Sequence, residues 1–405
     1  MRCRFQILTT LFLAIFLLLS RAEANLLEEW NKKRTSLENQ GFSFEAQYTG
    51  DFLVNTKGGL REDETYLGNL NFFLNMDFER SGLWKNGLLF ANILDNHGDK
   101  KISESMVREI QTVSNIEAPR VTRLYELWYQ HTFADKSTSF LAGIHNLNSD
   151  FNVTEFGGLF LNSYFGITPE MAIGARPGIF PLASPGARLK SGLNNRWELL
   201  LGVYDGDPGD PESSKHLPCS TLSSRDGALI AFELAYHLNA RAKSLSEFIK
   251  WGIWHNTGEF DDITKLDPLG NPVRRQGNYG TYIVFDKVIF QNDIQVLGTF
   301  LQSGFTPENL NEINYYIGGG LILQSPISLR PKDSIGLAVA HVGISTDVID
   351  MGNRAESETI IEWTYNAQIY EYFRMQPNIQ YVINPGADIN LNNALVTGIR
   401  FEILL

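Results

Sequence analysis

The sequence contains only two cysteines in 405 residues, Cys3 and Cys219. Cys3 falls in an N-terminal segment where Arg2 and Arg4 precede an apolar run from Phe5 to Leu19 and the stretch closes on Ala22-Glu23-Ala24. A charged start, a short apolar run and a small-x-small ending make a secretory signal. Cleavage after Ala24 would leave Cys219 alone, which excludes an intramolecular disulfide; its position, far from that site, argues against a lipoprotein start. Cys219 is read as a loop thiol with no assigned role. Basic charge is also scarce. Arg2, Arg4, Arg21 and Glu23 leave with the signal, so the formal balance moves from −12 to −14. With no basic stripe to displace counterions from phosphates, a nucleic-acid partner is not expected. After the signal, no stretch approaches the roughly 20 apolar residues of a helical membrane span.

What the chain does have is 12% aromatics and 35 glycines, set in stretches of period two. Residues 25–40, NLLEEWNKKRTSLENQ, are the exception. They are charged, lack Gly and Pro, and place Leu26, Trp30 and Leu37 near one helical face, so they predict a short helix. From Gly41 onward, Phe42, Phe44, Ala46, Tyr48, Phe52 and Val54 alternate with Ser43, Glu45, Gln47, Thr49 and Asp51. Leu70 to Phe78 repeats the pattern. A pleated strand sends the two sets to opposite faces. The pattern returns near Thr122–Phe133, Trp197–Tyr204, Ala228–His237, Phe248–Trp254, Gln291–Leu301, Ile313–Leu323, Glu358–Tyr370, Phe373–Ile383 and Thr397–Leu405. Shorter instances lie at Leu88–Leu94, Ser139–Asn146, Ala187–Gly192, Asn278–Asp286 and Ile335–Val342.

Connection lengths alternate as well. Short links such as Glu79–Asn86, Ala134–Thr138 and Leu193–Asn195 follow the even strands, and long ones such as Asn55–Gly68, Asp95–Val121, Leu147–Ser184, Asp205–Asp226 and His255–Gly277 follow the odd ones. A soluble sandwich gives no reason for this parity, whereas outer-membrane barrels have short turns on one rim and long loops on the other. The expected fold is all-β, a transmembrane antiparallel β-barrel of about 16 strands with a short N-terminal helix. Its expected domains are a signal peptide (1–24), the helix (25–40) and the barrel (41–405). Its expected place is the lipid bilayer of a Gram-negative outer membrane, with both termini on the periplasmic rim. Monomer and homotrimer both stay open.

If the apolar set faces lipid, the polar set lines a lumen. The residues assigned to that pathway are Arg123, Glu126, Trp128, Gln130, Arg188, Arg196, Glu198, Glu362, Arg374, Gln380, Arg400 and Glu402. A wall of arginine, carboxylate and amide supplies donors and acceptors together, which suits neutral polyols; a ring of one sign would suit ions. Trp128, Tyr204 and Tyr316 fall in the inward phase, where an aromatic ring can pack on a sugar's C–H face. Metal chemistry has two candidates. DNHGD, residues 95–99, could suggest a metal or acid-base cluster, but at the tip of a barrel strand it reads as a turn. DGDPGDPE, residues 205–212, offers Asp205, Asp207 and Asp210 as hard oxygen ligands for Ca²⁺, although turn chemistry explains the same string. No other cofactor is expected, and the seven histidines assemble no nucleophile-base constellation by spacing.

Four stretches resemble carbohydrate-selective porins of the OprB type: TRLYELWYQ (122–130), NTKGG (55–59), the helix carrying Trp30, Arg34 and Leu37, and QPNIQYVINPG (376–386). The resemblance implies a sixteen-stranded channel for passive diffusion of small sugars, narrowed by inward-folded loops and lined by arginine and acidic residues. It favours Arg123, at the loop junction, and Glu126 as constriction-side residues. It also implies that the loop Leu147–Ser184 folds inward, with Arg176 as a contributor. A general or cation-preferring porin, suggested by the −14 balance, and an outer-membrane enzyme or adhesin, suggested by the acidic outer loops, are the competing readings.

Overall fold

The computed structural model describes residues 32–99, 101–212, 225–239, 247–352 and 354–404. The signal segment, Trp30, the DGDPGDPE-adjacent Cys219 and Leu405 lie outside them. Residues 32–39 form α1, the described part of the predicted helix, and Gly41, at φ 90°, turns the chain into the first strand. Sixteen strands follow: β1 (Phe42–Gly59), β2 (Asp63–Asp77), β3 (Gly87–Gly98), β4 (Val121–Thr132), β5 (Thr138–His145), β6 (Ser184–Gly192), β7 (Trp197–Asp205) and β8 (Ala228–His237). Then come β9 (Phe248–Leu266), β10 (Pro272–Gln291), β11 (Val296–Phe305), β12 (Ile313–Gln324), β13 (Ser334–Ile344), β14 (Ser357–Tyr370), β15 (Phe373–Ile383) and β16 (Asn392–Leu404). Each strand pairs with its chain neighbours, and β1 pairs antiparallel with β16 to close the barrel. Closure satisfies the edge groups that an open sheet would leave bare in lipid.

The two faces separate as the alternation requires. On β15, Gln376, Asn378, Gln380 and Val382 are buried toward the interior, while Ile379 and Tyr381 are exposed on the outside. Pro377 pairs with Ile399 on that outer face without breaking the ladder's register. The outer wall carries exposed Phe52, Phe72, Leu301, Leu321, Leu337 and Ile379. Aromatics gather at both rims: Trp84 donates to the Tyr129 hydroxyl at 2.6 Å near the short turns, and Tyr279, Tyr315 and Tyr381 stand near the long-loop ends.

Two predicted long loops are corrected. Residues 55–68 and 255–277 are mostly strand: β1 and β2 meet across Leu60–Glu62, and β9 and β10 extend as a hairpin turning at residues 267–271. Register shifts at Asn55/Lys57, Lys57/Gly59 and Gln276/Asn278 interrupt the alternation there, which hid the strands. A bulge in β4 matters more. Asn92 pairs with Glu126 but Ile93 pairs with Leu124, so one residue is inserted at Tyr125. An inserted residue reverses the inside-outside phase. Arg123 and Tyr125 therefore point inward on one side of the bulge, and Glu126, Trp128 and Gln130 point inward on the other.

Ile379→Arg is expected to destabilise the barrel by about 2–4 kcal/mol, the cost of a cation near the bilayer midplane, while Gln47→Arg on the inner face has little effect. Urea-induced unfolding from lipid vesicles measures both.

Candidate functional site: the lumen and its loops

The lumen is not an open cylinder. The connection after β3 (L2, residues 99–120) and the one after β5 (L3, residues 146–183) fold into it and are fastened to the wall by hydrogen bonds between wall side chains and loop backbone. L3 begins at β4, where Glu126 accepts from Asn146 N at 3.0 Å. It passes β8, where Glu233 accepts from Asn152 N at 2.8 Å, and β10, where Asp286 accepts from Phe156 N at 2.9 Å and Thr154 Oγ1 at 2.9 Å. It reaches β14, where Glu362 accepts from Leu161 N at 2.7 Å and Asn162 N at 2.9 Å. The return leg is held by wall amides: Asn278 and Asn256 donate to Gly174 O and Ala175 O, each at 2.9 Å. The loop thus crosses the barrel in strand order and comes back. An isolated carboxylate would be costly to bury, but one that accepts two backbone N–H groups is satisfied while it satisfies the loop.

Apolar packing completes the plug. Phe156, Phe160, Tyr164 and Phe165 of L3 and Ile102, Met106, Val107 and Val113 of L2 form one buried cluster with inward-facing Phe300, Tyr316, Ile322, Ala338, Val342, Ile360, Val382 and Val396. Leu147, Phe151, Ile167 and Met171 form a second with Leu200, Tyr204, Trp254 and Tyr282. Small wall residues act as sockets. A Cβ at Gly298 would lie 2.2 Å from the Phe156 ring, and one at Gly304 would lie 2.0 Å from the Glu170 carboxyl.

L2 carries its own acidic pair. Glu109 accepts from Val113 N at 2.9 Å, and Glu117 from Ser103 Oγ at 3.0 Å, with the same hydroxyl also against Glu109. Burial pushes the Glu109 carboxyl up to about 7; burial, then the charge of Glu109, pushes Glu117 up to about 8. One hydroxyl proton cannot serve two carboxylates, so a proton on the pair is favourable. In L3, burial likewise pushes Glu170 up to about 8.

The residues assigned to the pathway fall into three groups. Trp128, Gln130 and Glu198 are partly buried on the inner face, with Glu198 paired to Lys190 at 3.2 Å; Arg374 is exposed near the short-turn rim, 3.9 Å from Glu402. Glu126, Glu362, Gln380, Arg188 and Arg400 point inward but are covered. Gln380 donates to Val113 O at 2.7 Å, Arg188 pairs with Asp150 of L3 at 2.8 Å, and Arg400 pairs with Asp51 at 2.7 Å and donates to Asn115 of L2. They fasten loops rather than face water. Arg196 is a correction of another kind: it sits in the short turn before β7, on the outer side, over the ring of Tyr236, whose hydroxyl accepts from its Nη1 at 3.0 Å. Tyr204 and Tyr316 point inward as expected and are buried under L3.

Arg123 is 1% exposed on the strand itself rather than at the loop junction. It donates to Pro181 O of L3 at 3.2 Å and to Pro211 O at 2.8 Å, and its Nε is buried with no partner among the described residues. Beside it, on the long-loop side, a cavity of about 310 Å³ is lined by Lys101, Arg120, Val121, Pro211, Glu212 and Leu67, among others. Arg176 reaches Asp207 at 3.6 Å and lies over the ring of Phe260. In the acidic loop, Asp207 and Asp210 accept from Gly209 N and Glu212 N as turn caps. Among the described residues no group of three or more His, Cys, Asp or Glu is placed to hold a metal.

The family model described as carbohydrate-selective porin, OprB family, matches residues 61–405. The chain belongs to that family. It is 26% identical to Porin B of Pseudomonas aeruginosa over 93% of this chain and 90% of that protein. It is 23% identical to a protein described as putative porin QuiX of Acinetobacter baylyi, over 93% and 92%. The structure of Pseudomonas putida OprB determined at high pH superposes with a TM-score of 0.83 at 20% identity, covering 93% of this chain and 97% of that one. That likeness concerns the fold. The OprB family membership makes this barrel an outer-membrane porin, a channel.

Sequence reasoning missed the role of Glu126, Glu233, Asp286 and Glu362 as acceptors for loop backbone, and read the connection that becomes L2 only as a long loop. One signal was available. Val382 after Asn378 and Gln380, and Ile360 between Glu358 and Glu362, are apolar residues in the inward phase, clustered near the long-loop ends of their strands; a water-filled lumen would not want them.

Glu362→Ala leaves two buried N–H groups without acceptors, each costing about 1–3 kcal/mol, so a larger single-channel conductance and faster proteolysis within residues 157–166 are expected. Folded, Glu109 and Glu117 hold protons more tightly than unfolded, so their stabilisation of L2 is full below the ordinary carboxylate value of 4.5 and is lost as pH rises through about 7 to 8. Proteolysis of L2 is expected to quicken from pH 6 to pH 9, and to lose most of that dependence in Glu109→Gln.

Proposed function

We propose that this porin passes small neutral carbohydrates passively into the periplasm, along the side of the lumen that the loops leave uncovered. The observation that carries the reading is the distribution of cover. The loops cover the inner wall of β7 to β16 and reach β1, β2, β4 and β6 at Asp51, Leu53, Leu67, Arg123, Glu126 and Arg188; nearer the short turns of β1 to β6, the inward residues Gln47, Asn71, Asn75, Gln130 and Lys190 are polar and only partly buried. Amides with paired ions supply donors and acceptors without a net field, which suits a polyol better than an ion. Membership of the OprB family supports the substrate class.

Arg123 stands at the long-loop end of this path. Its guanidinium joins the return leg of L3 to Pro211, which lines a cavity at the small end of the ligand-pocket range, so Arg123 sets where that loop stands at the mouth of the path. A general or cation-preferring porin is favoured only by the negative balance, and the covered carboxylates weaken that reading, since a buried, hydrogen-bonded carboxylate exerts little pull on ions in the open lumen.

Liposome swelling with a panel of monosaccharides, disaccharides, amino acids and salts tests the proposal. Monosaccharides are expected to enter faster than amino acids of equal size; equal rates, together with a cation-selective reversal potential, would sink it. Arg123→Ala is expected to change sugar flux several-fold and Lys57→Ala, on the outer rim, to leave it unchanged.

A further inference from the structure

Large aromatic rings that point inward are buried under the loops almost everywhere. Phe300, Tyr316, Trp254 and Tyr282 are each 1% exposed or less. Three rings depart from this pattern: Phe73 on β2, Phe90 on β3 and Trp128 on β4 are partly exposed, and none belongs to the buried clusters that the loops build among the described residues. They form a band across three neighbouring strands. Phe73 and Phe90 lie 6.1 Å apart at 29°, and Phe90 and Trp128 lie 4.7 Å apart at 22°. Their place is on the short-turn side of the plug: Phe90 pairs across the ladder with Trp128, whereas Glu126, which fastens the start of L3, lies opposite Asn92, further toward the long loops.

Apolar rings left open on a water-filled wall are unfavourable unless something covers them. The residues around the band say what would. Glu45, exposed, is the cross-strand partner of Phe73, and Asn75 is that of Phe90. Gln130 lies opposite Leu88, one inward position below Trp128, with its Oε1 held by Arg188 at 3.0 Å, which leaves the amide N–H groups turned to other partners. A carboxylate acceptor and amide donors around an aromatic surface match a molecule with one apolar face and a rim of hydroxyls. A pyranose has that shape: its axial C–H groups form the face, and its equatorial hydroxyls both donate and accept.

We propose that Phe73, Phe90 and Trp128 form a second carbohydrate station, on the periplasmic side of the loops, where a pyranose leaving the constriction stacks on the ring band before release. The proposal rests on the carbohydrate reading above and deepens it. A station on this side gives the sugar a stepping point after the constriction, so that leaving the narrow part does not require full rehydration in one step.

The test uses the full chain in planar bilayers, with D-glucose as the stacking probe and sorbitol, a polyol with no ring face, as the comparison. Current fluctuations give the dwell time of each. Phe90→Ala and Trp128→Ala are expected to shorten the D-glucose dwell several-fold and leave that of sorbitol unchanged, while Trp128→Phe, which keeps a ring, stays near the parent value. Trp128→Phe and Phe90→Leu keep the volume where an alanine variant fails to fold; Phe90→Leu is expected to behave as Phe90→Ala. Unchanged glucose dwell in the ring-deleting variants, or an equal loss for sorbitol, overturns the station while leaving sugar permeation intact. Absence of any glucose flux through the parent protein overturns the permeation reading itself, and the station with it.

Discussion

The architecture depends on carboxylates of the barrel wall that accept backbone N–H groups from the inward loops. Glu126, Glu233, Asp286, Glu358 and Glu362 each take at least one such bond. A loop buried inside a barrel has no sheet partner for its backbone, and each unsatisfied group would cost about as much as a lost hydrogen bond. The wall supplies the missing acceptors, and amides such as Gln376, which donates to Leu159 O at 2.7 Å, supply donors. Remove these, and the apolar clusters would hold L2 and L3 without fixing their course.

This division of labour explains why the charge inventory misleads. Counted by type, the inner face is strongly charged, and a charged wall suggests an ion path. Placed in space, most of those charges are committed: Arg400 to Asp51, Arg188 to Asp150, Lys250 to Glu233. What β1 to β6 leave partly open in the lumen is amide and aromatic surface, such as Asn71, Gln130, Phe90 and Trp128, with the charges of Glu45 and Lys190 among it. A buried ion pair contributes little net stability but fixes which groups remain for a solute.

The β4 bulge shows the same logic at one residue. Without the insertion at Tyr125, a strand that turns Glu126, Trp128 and Gln130 inward would turn Arg123 outward into lipid. With it, both sides of the bulge face the lumen, and Arg123 meets L3 at Pro181 and the next loop at Pro211. Alternation alone gave the inward direction of Glu126 and Trp128; it left Arg123 out of phase, to be placed at the loop junction where a long side chain can bend into the opening, rather than on the strand.

Local pattern settled what local physics controls. Period-two alternation decides which residues face lipid, because a pleated strand offers only two sides, and so the strand count, the closure into a barrel and the inward direction of β15 were legible. Loop parity placed the plug-bearing connections on one rim. The sequence could not say which inward residues meet water, because Glu362, Gln380 and Arg400 look the same in the string as Gln130 and Glu198. That depends on where residues more than a hundred positions away come to lie. Only the tertiary structure lays L2 and L3 along the inner wall, and long-range contact, unlike alternation, leaves no period in the chain.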